Sequence, residues 1–343
     1  IELFVSLLPL SDHHAGIWRI PQGEQIYAAR LKSYTTTNMS AEEIHQLGLR
    51  EVARISEEME NILSNEGIIE GSVISRLRQL MDIPEYHFGD SDEGRAEQIE
   101  YLYNLDDKMM KMAQRFFITI PSQTLKIVRV PEFSQDGSAL GYYLAPAMDG
   151  STSGRFYINQ KDMSDTPRWT LPTLMYHEGA PGHHFQISAS HLIENLPFIR
   201  KVSPFTAYVE GWALYAEFIA HSDMNVYEDD PLGNLGRLQD EMLRAIRLVV
   251  DTGMHAKRWS RERAIEYMLS NSGTTEADAT REIERYAVWP GQATAYKVGQ
   301  LHILKLRSMA ELRLGDGFDL REFHEMILMN GAMPLEILTE SVQ

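Results

Sequence analysis

The sequence predicts a mainly α-helical protein with one small antiparallel β-sheet, and two patterns support this fold class. Along most of the 343 residues, apolar side chains recur every three or four positions, which places them on one face of a helix. Only a short segment, between residues 125 and 159, is instead rich in β-branched and aromatic residues. We therefore expect a single helical region that spans residues 1–343.

The first well-marked helix begins at Ser40, because Ser40 and Glu43 have the spacing of a capping box. The apolar residues that follow keep a helical spacing: Ile44, Leu47, Val52, Ile55, Met59 and Ile62. Similar patterns predict helices over residues 72–82, 93–115, 170–180, 206–221, 236–258, 260–270, 275–287 and 294–314.

Three strands are predicted between Leu125 and Asn159, from the stretches LKIVRV, LGYYLA and RFYIN. The pairs Asp136–Gly137 and Asp149–Gly150 are typical turn sequences, and they separate the three stretches. This pattern favours an antiparallel sheet that ends shortly before a histidine-rich segment.

Composition limits the possible functions. Asp and Glu total 49 against 32 Lys and Arg, so the net charge is −17, which opposes binding to nucleic-acid phosphates and anionic membranes. The chain has no cysteine, which excludes disulfides and thiolate metal sites. Any bound metal would therefore use His, Asp or Glu. No apolar run reaches the ~18 residues of a membrane-spanning helix.

The opening segment, IELFVSLLPL, is apolar but short, and no basic residue precedes it. It is therefore a poor signal peptide, and it also lacks an initiator methionine. We expect a processed or truncated chain. A periplasmic, secreted or cytoplasmic location is equally compatible with this sequence.

The segment MYHEGAPGHHFQ, Met175–Gln186, places three histidines and a glutamate within twelve residues. His177 and Glu178 follow Leu174 by three and four positions, so both should point toward the buried side of their helix. Burying a carboxylate costs several kcal/mol unless it is paired or bound to a cation. The segment therefore predicts a metal site.

The second imidazole of this site cannot follow the usual His-Glu-x-x-His spacing, because Pro181 occupies that position. A break at Pro181–Gly182 could return a later histidine toward His177. His183 is out of phase with His177 on an ideal helix, whereas His184 is nearly in phase but about 10 Å farther along the axis. We favour His183 and keep His184 as its alternative.

A third ligand should come from a later helix, and YVEGWALYAEFIAH offers two glutamates. Glu210 lies between Val209 and Trp212, among few other polar residues, and ranks first. Glu217 lies seven positions later on the same face, where it could orient an imidazole through a hydrogen bond.

Five motifs give the chain a family resemblance: GIWRIPQGEQIYAARLKSYTTTNMSAEEIHQLGL, HEGAPGHHFQ, VEGWALYAE, RLVVDTGMHAKRWSRERAIEYM and RYAVWPGQATAYKVGQL. In this order they resemble the bacterial family called domain of unknown function 885, from about Gly16 to the C-terminus. Members of that family look like zinc metallopeptidases of the gluzincin type. They are typically longer, and the resemblance implies that this chain lacks their helical N-terminal part.

The resemblance implies a helical fold like that of neurolysin, carboxypeptidase Taq and angiotensin-converting enzyme. Those enzymes carry the motif His-Glu-x-Gly-His. Dipeptidyl peptidase III has one extra residue before its Gly-His pair, and this chain would have two extra residues there. By this resemblance His177, His183 and Glu210 are zinc ligands, with one Zn²⁺ per chain, and Glu178 is the general base.

The expected reaction is zinc-dependent hydrolysis of a peptide or a related small amide. Zinc would polarise the scissile carbonyl and activate water, while Glu178 would carry the proton to the leaving amine. Tyr296 and His255 are candidate donors to the oxyanion, since a phenol or an imidazole can donate a hydrogen bond there.

Three further residues are candidates for binding the substrate. Arg247 or Lys297 could hold a substrate carboxylate. The strand around Tyr157 could line the cleft and pair with an extended peptide.

Two other functions stay open from the sequence alone. The chain could be a non-catalytic metal- or peptide-binding helical protein, or a metallohydrolase of a non-peptide amide or ester. Glu178 favours catalysis, because a protein that only binds has no need of a general base beside its ligand.

Overall fold

The computed structural model describes residues 1–10, 14–202 and 205–342, and helices make up 68% of it. The predicted mainly α-helical class is therefore confirmed. The helices are α1 Glu2–Leu7, α2 Gly23–Thr35, α3 Ala41–Asn65, α4 Val73–Met81, α5 Asp92–Ala113, α6 Leu171–Glu178, α7 His183–His191, α8 Phe198–Val202, α9 Thr206–Ser222, α10 Pro231–His255, α11 Arg261–Asn271, α12 Glu276–Val288, α13 Ala295–Leu314, α14 Leu320–Met329 and α15 Leu335–Val342.

The capping box at the start of α3 is present in full. Ser40 Oγ accepts a hydrogen bond from Glu43 N (3.2 Å), and Glu43 Oε2 accepts one from Ser40 N (2.8 Å). These bonds satisfy two N–H groups at a helix end that have no partner inside the helix. The sequence therefore predicted this helix start correctly.

The small sheet is mixed, so the prediction of a purely antiparallel sheet was wrong. Its strands are β1 Leu125–Arg129, β2 Gly141–Leu144 and β3 Gly154–Ile158, in the order β1-β3-β2. β2 and β3 form the expected antiparallel pair, whereas β1 is parallel to β3. The chain between β1 and β2 includes a 3₁₀ helix, Glu132–Gly137, and crosses to the opposite edge of β3 instead of turning back as a hairpin.

The core lies between long helices. α10 packs along α3, and α13 packs along α9, so α9 and α10 are largely buried. α10 also lies close against the chain just before α6: a Cβ atom on Gly236 would be 2.3 Å from the carbonyl oxygen of Trp169. This contact fixes the position of α6, which carries His177 and Glu178 at its C-terminal end.

None of the helices in the described ranges is both long enough and apolar enough to cross a membrane.

Candidate metal centre

The predicted break in the histidine helix lies between Gly179 and Gly182. α6 ends at Glu178, the Ala180–Pro181 peptide bond is cis, and α7 begins at His183. Gly182 is so close to the end of α6 that a Cβ atom there would lie 2.0 Å from the carbonyl oxygen of His177. Only glycine fits at this position, and the close approach brings the first residue of α7 back to the last turn of α6.

Two side chains hold this four-residue connection in place. Trp212 on α9 donates from Nε1 to the carbonyl oxygen of Pro181 (2.8 Å). Asp106 on α5 accepts from the N–H of Ala180 through Oδ1 (3.3 Å). The connection is therefore anchored from both sides, which sets the position of His183.

His177, His183 and Glu210 meet at one point. Glu210 Oε2 lies 3.7 Å from His177 Nε2 and 3.4 Å from His183 Nε2. All three potential ligand atoms lie within 4.8 Å of one another. The two imidazole rings are almost perpendicular, with an angle of 87° between their planes and 4.7 Å between their centres. The nitrogen and oxygen lone pairs thus converge on a common space.

A second carboxylate orients His177. Glu217 Oε1 lies 2.6 Å from His177 Nδ1, and its other oxygen accepts from Thr173 Oγ1 (3.1 Å). Since a carboxylate accepts hydrogen bonds, Nδ1 carries the proton and Nε2 is left to face Glu210. Metal-bound histidines are held in this way in known sites. The contact matches the predicted role of Glu217, and Thr173 could have been found because it lies one turn before His177.

The charges of this cluster strongly affect one another. Burial alone would lower the pKa of His177, but Glu210 and Glu217 outweigh it and raise the pKa to about 10. Burial alone would raise the pKa of Glu210, yet His183 and His177 hold it well below its usual range. Without another cation, a proton on His177 neutralises the carboxylates, and a divalent metal could take the place of that proton.

Glu178 lies beside the cluster with its side chain almost fully buried, at 6% exposure. No hydrogen bond or ion pair reaches its carboxylate from the described part of the chain. Burial raises the pKa of Glu178, and the charges of His177 and His183 partly oppose this. A carboxylate with a raised pKa and free oxygens is suited to accept a proton.

His184, the alternative to His183, has both ring nitrogens engaged elsewhere. Nε2 lies 2.9 Å from the carbonyl oxygen of Gln123, and Nδ1 lies 2.9 Å from the hydroxyl of Tyr143. Since a carbonyl can only accept, Nε2 carries the hydrogen and Tyr143 donates to Nδ1. The geometry therefore favours His183 as the second imidazole of the cluster, and His184 ties α7 to β2.

Tyr296 and Arg247 lie at the side of the cluster. Burial and the charge of Glu210 raise the pKa of Tyr296, whose hydroxyl accepts from Gln292 Nε2 (3.3 Å). The Arg247 guanidinium lies 4.7 Å from the centre of the Tyr296 ring. Arg247 also donates to the hydroxyl of Tyr286 (2.8 Å), and a salt bridge engages a second nitrogen. The catalytic role of Tyr296 and the substrate-binding role of Arg247 stay predictions.

Two predicted site residues, His255 and Lys297, are engaged by partners within the fold, which argues against the roles predicted for them. His255 is fully buried; its Nδ1 accepts from the N–H of Ile17 (3.0 Å), and its Nε2 lies 3.0 Å from the carbonyl oxygen of Tyr286. No ring nitrogen is left for an oxyanion. Lys297 is also fully buried, and its amino group is held by Glu241 (2.5 Å) and Glu51 (3.0 Å).

The strand around Tyr157 has no free edge for pairing with a peptide, and the prediction that Tyr157 lines the cleft stays a prediction. β3 is the central strand, so both of its edges are already occupied by β1 and β2. The Tyr157 ring stacks on Tyr142, with 4.9 Å between ring centres. A free strand edge exists instead on β2.

The chain is thus a mainly helical protein whose candidate centre offers two imidazoles and one carboxylate. Three nitrogen and oxygen ligands with an orienting second carboxylate fit the requirements of a zinc site with one open position.

The family model "Bacterial protein of unknown function (DUF885)" matches residues 5–342, and the chain belongs to that family. No curated protein matches the chain at a significant level. The resemblance stated from the motifs is therefore confirmed at the level of the family.

Two solved structures resemble this one. A "putative lipoprotein" from Colwellia psychrerythraea is 45% identical, with a TM-score of 0.96 over 98% of this chain. A "putative lipoprotein of unknown function" from Shewanella oneidensis is 21% identical, with a TM-score of 0.81 over 99% of this chain, which shows a shared fold. This chain spans 58% and 62% of the lengths of those two chains.

Proposed function

We propose that this chain is a zinc-dependent hydrolase of peptide or related amide bonds. The observation that carries the proposal is the convergence of His177, His183 and Glu210, with the free carboxylate of Glu178 beside them. When bound, zinc would supply Lewis acidity toward a carbonyl oxygen and lower the pKa of a coordinated water. The stated resemblance to gluzincin peptidases supports the same assignment of ligands.

In this proposal Glu178 moves the proton. Its carboxylate takes a proton from the attacking water and delivers it to the nitrogen of the leaving amine. The raised pKa of Glu178 favours this transfer, because the protonated form is accessible nearer neutral pH. In the same proposal Tyr296 donates to the oxyanion; its oxygen accepts from Gln292, which leaves its own hydrogen free for this bond.

A peptide substrate is supported by the outer edge of β2. Leu140 accepts from the N–H of Asn159 (2.8 Å), and alternate residues of an antiparallel pair face opposite ways. The main-chain N–H and C=O of Tyr142 therefore point toward β3. Those of Tyr143 point away from the sheet, and no described residue bonds to them. The Tyr143 ring lies 6.5 Å from that of His183, so an extended peptide could pair with this edge next to the cluster.

A non-catalytic binding protein is the main alternative, and the two differ in what they require of Glu178. A binding site would place a buried, unpaired carboxylate there at a cost in stability and without benefit. A metallohydrolase of a non-peptide amide or ester would use the same residues, and only the substrate would distinguish it.

Metal analysis and turnover test the proposal together. We expect about one zinc per wild-type chain and no zinc in His177→Ala, because one of three ligands is lost. His302→Ala is the matched control: this histidine bonds to Thr339 (2.8 Å), away from the cluster, and should leave zinc content unchanged.

The second step measures hydrolysis of a peptide library with free and blocked termini. Glu178→Gln should keep its zinc and lose at least about 100-fold in turnover, since the general base is removed. Zinc-free wild-type protein would refute the metal site, and unchanged turnover in Glu178→Gln would refute the assignment of the base.

A further inference from the structure

Arg244 differs from the neighbouring arginines of α10 in having unused donors. Arg237 donates to Asn234 (2.8 Å) and Glu241 (3.0 Å), and two nitrogens of Arg247 are engaged as described above. In Arg244 only Nη1 is engaged, by the carbonyl oxygen and the carboxylate of Asp240, both at 3.1 Å. Its Nε is buried without a hydrogen-bond partner.

The unused atoms of Arg244 form one edge of its guanidinium. The N–H of Nε and one N–H of Nη2 point in the same direction, and no described residue bonds to either nitrogen. This edge is the geometry that binds a carboxylate through two parallel hydrogen bonds. A buried N–H without a partner is costly, so the arrangement suits an external anion. Arg244 is only 8% exposed, which makes such a bond well shielded from water.

The packing of α10 against α6 places Arg244 beside the candidate centre. Gly236 touches the chain at Trp169, just before α6 starts. From that contact, Arg244 lies eight residues along α10, and Glu178 lies nine residues along the chain through α6. Each helical residue adds about 1.5 Å along the axis. If the two helices run in the same direction, Arg244 and Glu178 therefore lie at similar distances from the Gly236–Trp169 contact.

The charges that act across this packing agree with two helices that run in the same direction. His177 and Glu217 act on Asp240, in the middle of this stretch of α10. Burial raises the pKa of Glu178, and the charge of Arg244 is among those that oppose it. Arg244 is therefore near the carboxylate that would carry the proton.

We propose that Arg244 is the specificity-determining residue that binds a substrate carboxylate next to the scissile amide. This inference rests on the proposed function and narrows it to substrates whose leaving amine is an amino acid with a free carboxylate, such as the C-terminal residue of a peptide. It replaces Lys297 as the residue expected to bind the carboxylate, since Glu241, Glu51 and Gln300 (2.8 Å) engage the three N–H donors of Lys297.

Binding can be measured without turnover, in the zinc-loaded Glu178→Gln protein. The probes are N-acetylated peptides with a free C-terminal carboxylate and the same peptides as C-terminal amides, titrated by calorimetry. The free acids should bind about 10–100-fold more tightly than the amides, as expected for hydrogen bonds between charged groups. Adding Arg244→Gln should reduce this ratio to near one, and Arg244→Lys should give an intermediate ratio.

Arg237→Gln is the matched control, because it removes a buried arginine from the same helix without touching the free edge of Arg244. It should leave the ratio unchanged, and zinc content should be equal in all variants. The inference would be overturned if free acids and amides bound equally, or if the ratio of their affinities were unchanged in Arg244→Gln. Either result would count even if the wild-type protein cleaves both kinds of peptide. Selective binding of acids by a wild-type protein that cleaves neither would instead refute the hydrolase and leave the binding role of Arg244 intact.

Discussion

The buried charges around Lys297 and those around His177 differ in what neutralises them. Lys297, Arg54 and Arg237 are cations that form ion pairs with Glu241, and Lys297 and Arg54 also pair with Glu51. This ionic network contains both signs of charge and links α3, α10 and α13. Each charge in the network has a partner of opposite sign within it, which offsets the cost of removing these charges from water.

The cluster at His177 has no such internal balance. Within the described residues, no Lys or Arg forms an ion pair with Glu178, Glu210 or Glu217. Only imidazoles form ion pairs with Glu210 and Glu217, and these must be protonated to carry charge. A self-neutralising cluster needs nothing further, whereas one rich in acceptors is suited to bind a cation. Three experiments test this distinction, beginning with the largest expected effect.

Gly182→Ala should abolish the cluster while sparing most of the fold. A methyl group would collide with the carbonyl oxygen of His177, so α7 must move and His183 moves with it. We expect zinc affinity to fall by more than about 100-fold, measured by titration against a chelator. Gly137→Ala is the control, because a Cβ atom there meets nothing within 4 Å. Equal zinc affinity in both variants would contradict the described geometry.

Lys297→Met should have the opposite effect, lowering stability and sparing the metal. Removing one partner of a buried ion pair typically costs about 3–5 kcal/mol, because the carboxylates it served stay buried. Urea denaturation followed by circular dichroism would measure this loss. Lys305→Met, at an exposed position of the same helix, should change little. A loss of zinc in Lys297→Met would show that the two clusters are not independent.

Acid should weaken the ionic network through Glu241. Burial alone would raise the pKa of this carboxyl, but Lys297, Arg54 and Arg237 lower it to about 2, against 4.5 for an ordinary glutamate. Its stabilising contribution is therefore complete above pH 4.5 and is lost as the pH falls toward 2. We expect this group to account for about 3 kcal/mol of the free energy of unfolding. Denaturation of the metal-free protein at pH 6 and pH 3 should show a smaller difference in Glu241→Gln than in the wild type.

The amphipathic helices α3, α4 and α12 could be predicted from the sequence because each buries only one face. α7 was not predicted, since nearly all of its side chains are buried and no apolar period is visible. The sheet was given the wrong topology because sequence patterns locate strands but do not show which strands pair. The sequence does carry a signal for α14: Asp319 caps its start, and the apolar residues Phe323 and Ile327, both buried, lie one turn apart.

The candidate centre was predictable where the residue type itself carried the signal. His177 and Glu210 stand out as polar groups in apolar surroundings, and the structure places them together with His183. Lys297 and His255 are also polar residues in apolar surroundings. Their hydrogen bonds and ion pairs, however, are made mainly with residues that are distant in sequence. Whether a buried polar group has a partner depends on tertiary contacts, which no local pattern shows.

α9 contributes to the centre in three ways at once. It carries Glu210, it carries Glu217, and its Trp212 holds the carbonyl of Pro181 in the connection before His183. Because these three residues lie on one helix, a shift of α9 moves them together. Substitutions that shift α9 within its packing should therefore act on the whole centre in one step, switching it off rather than adjusting it gradually.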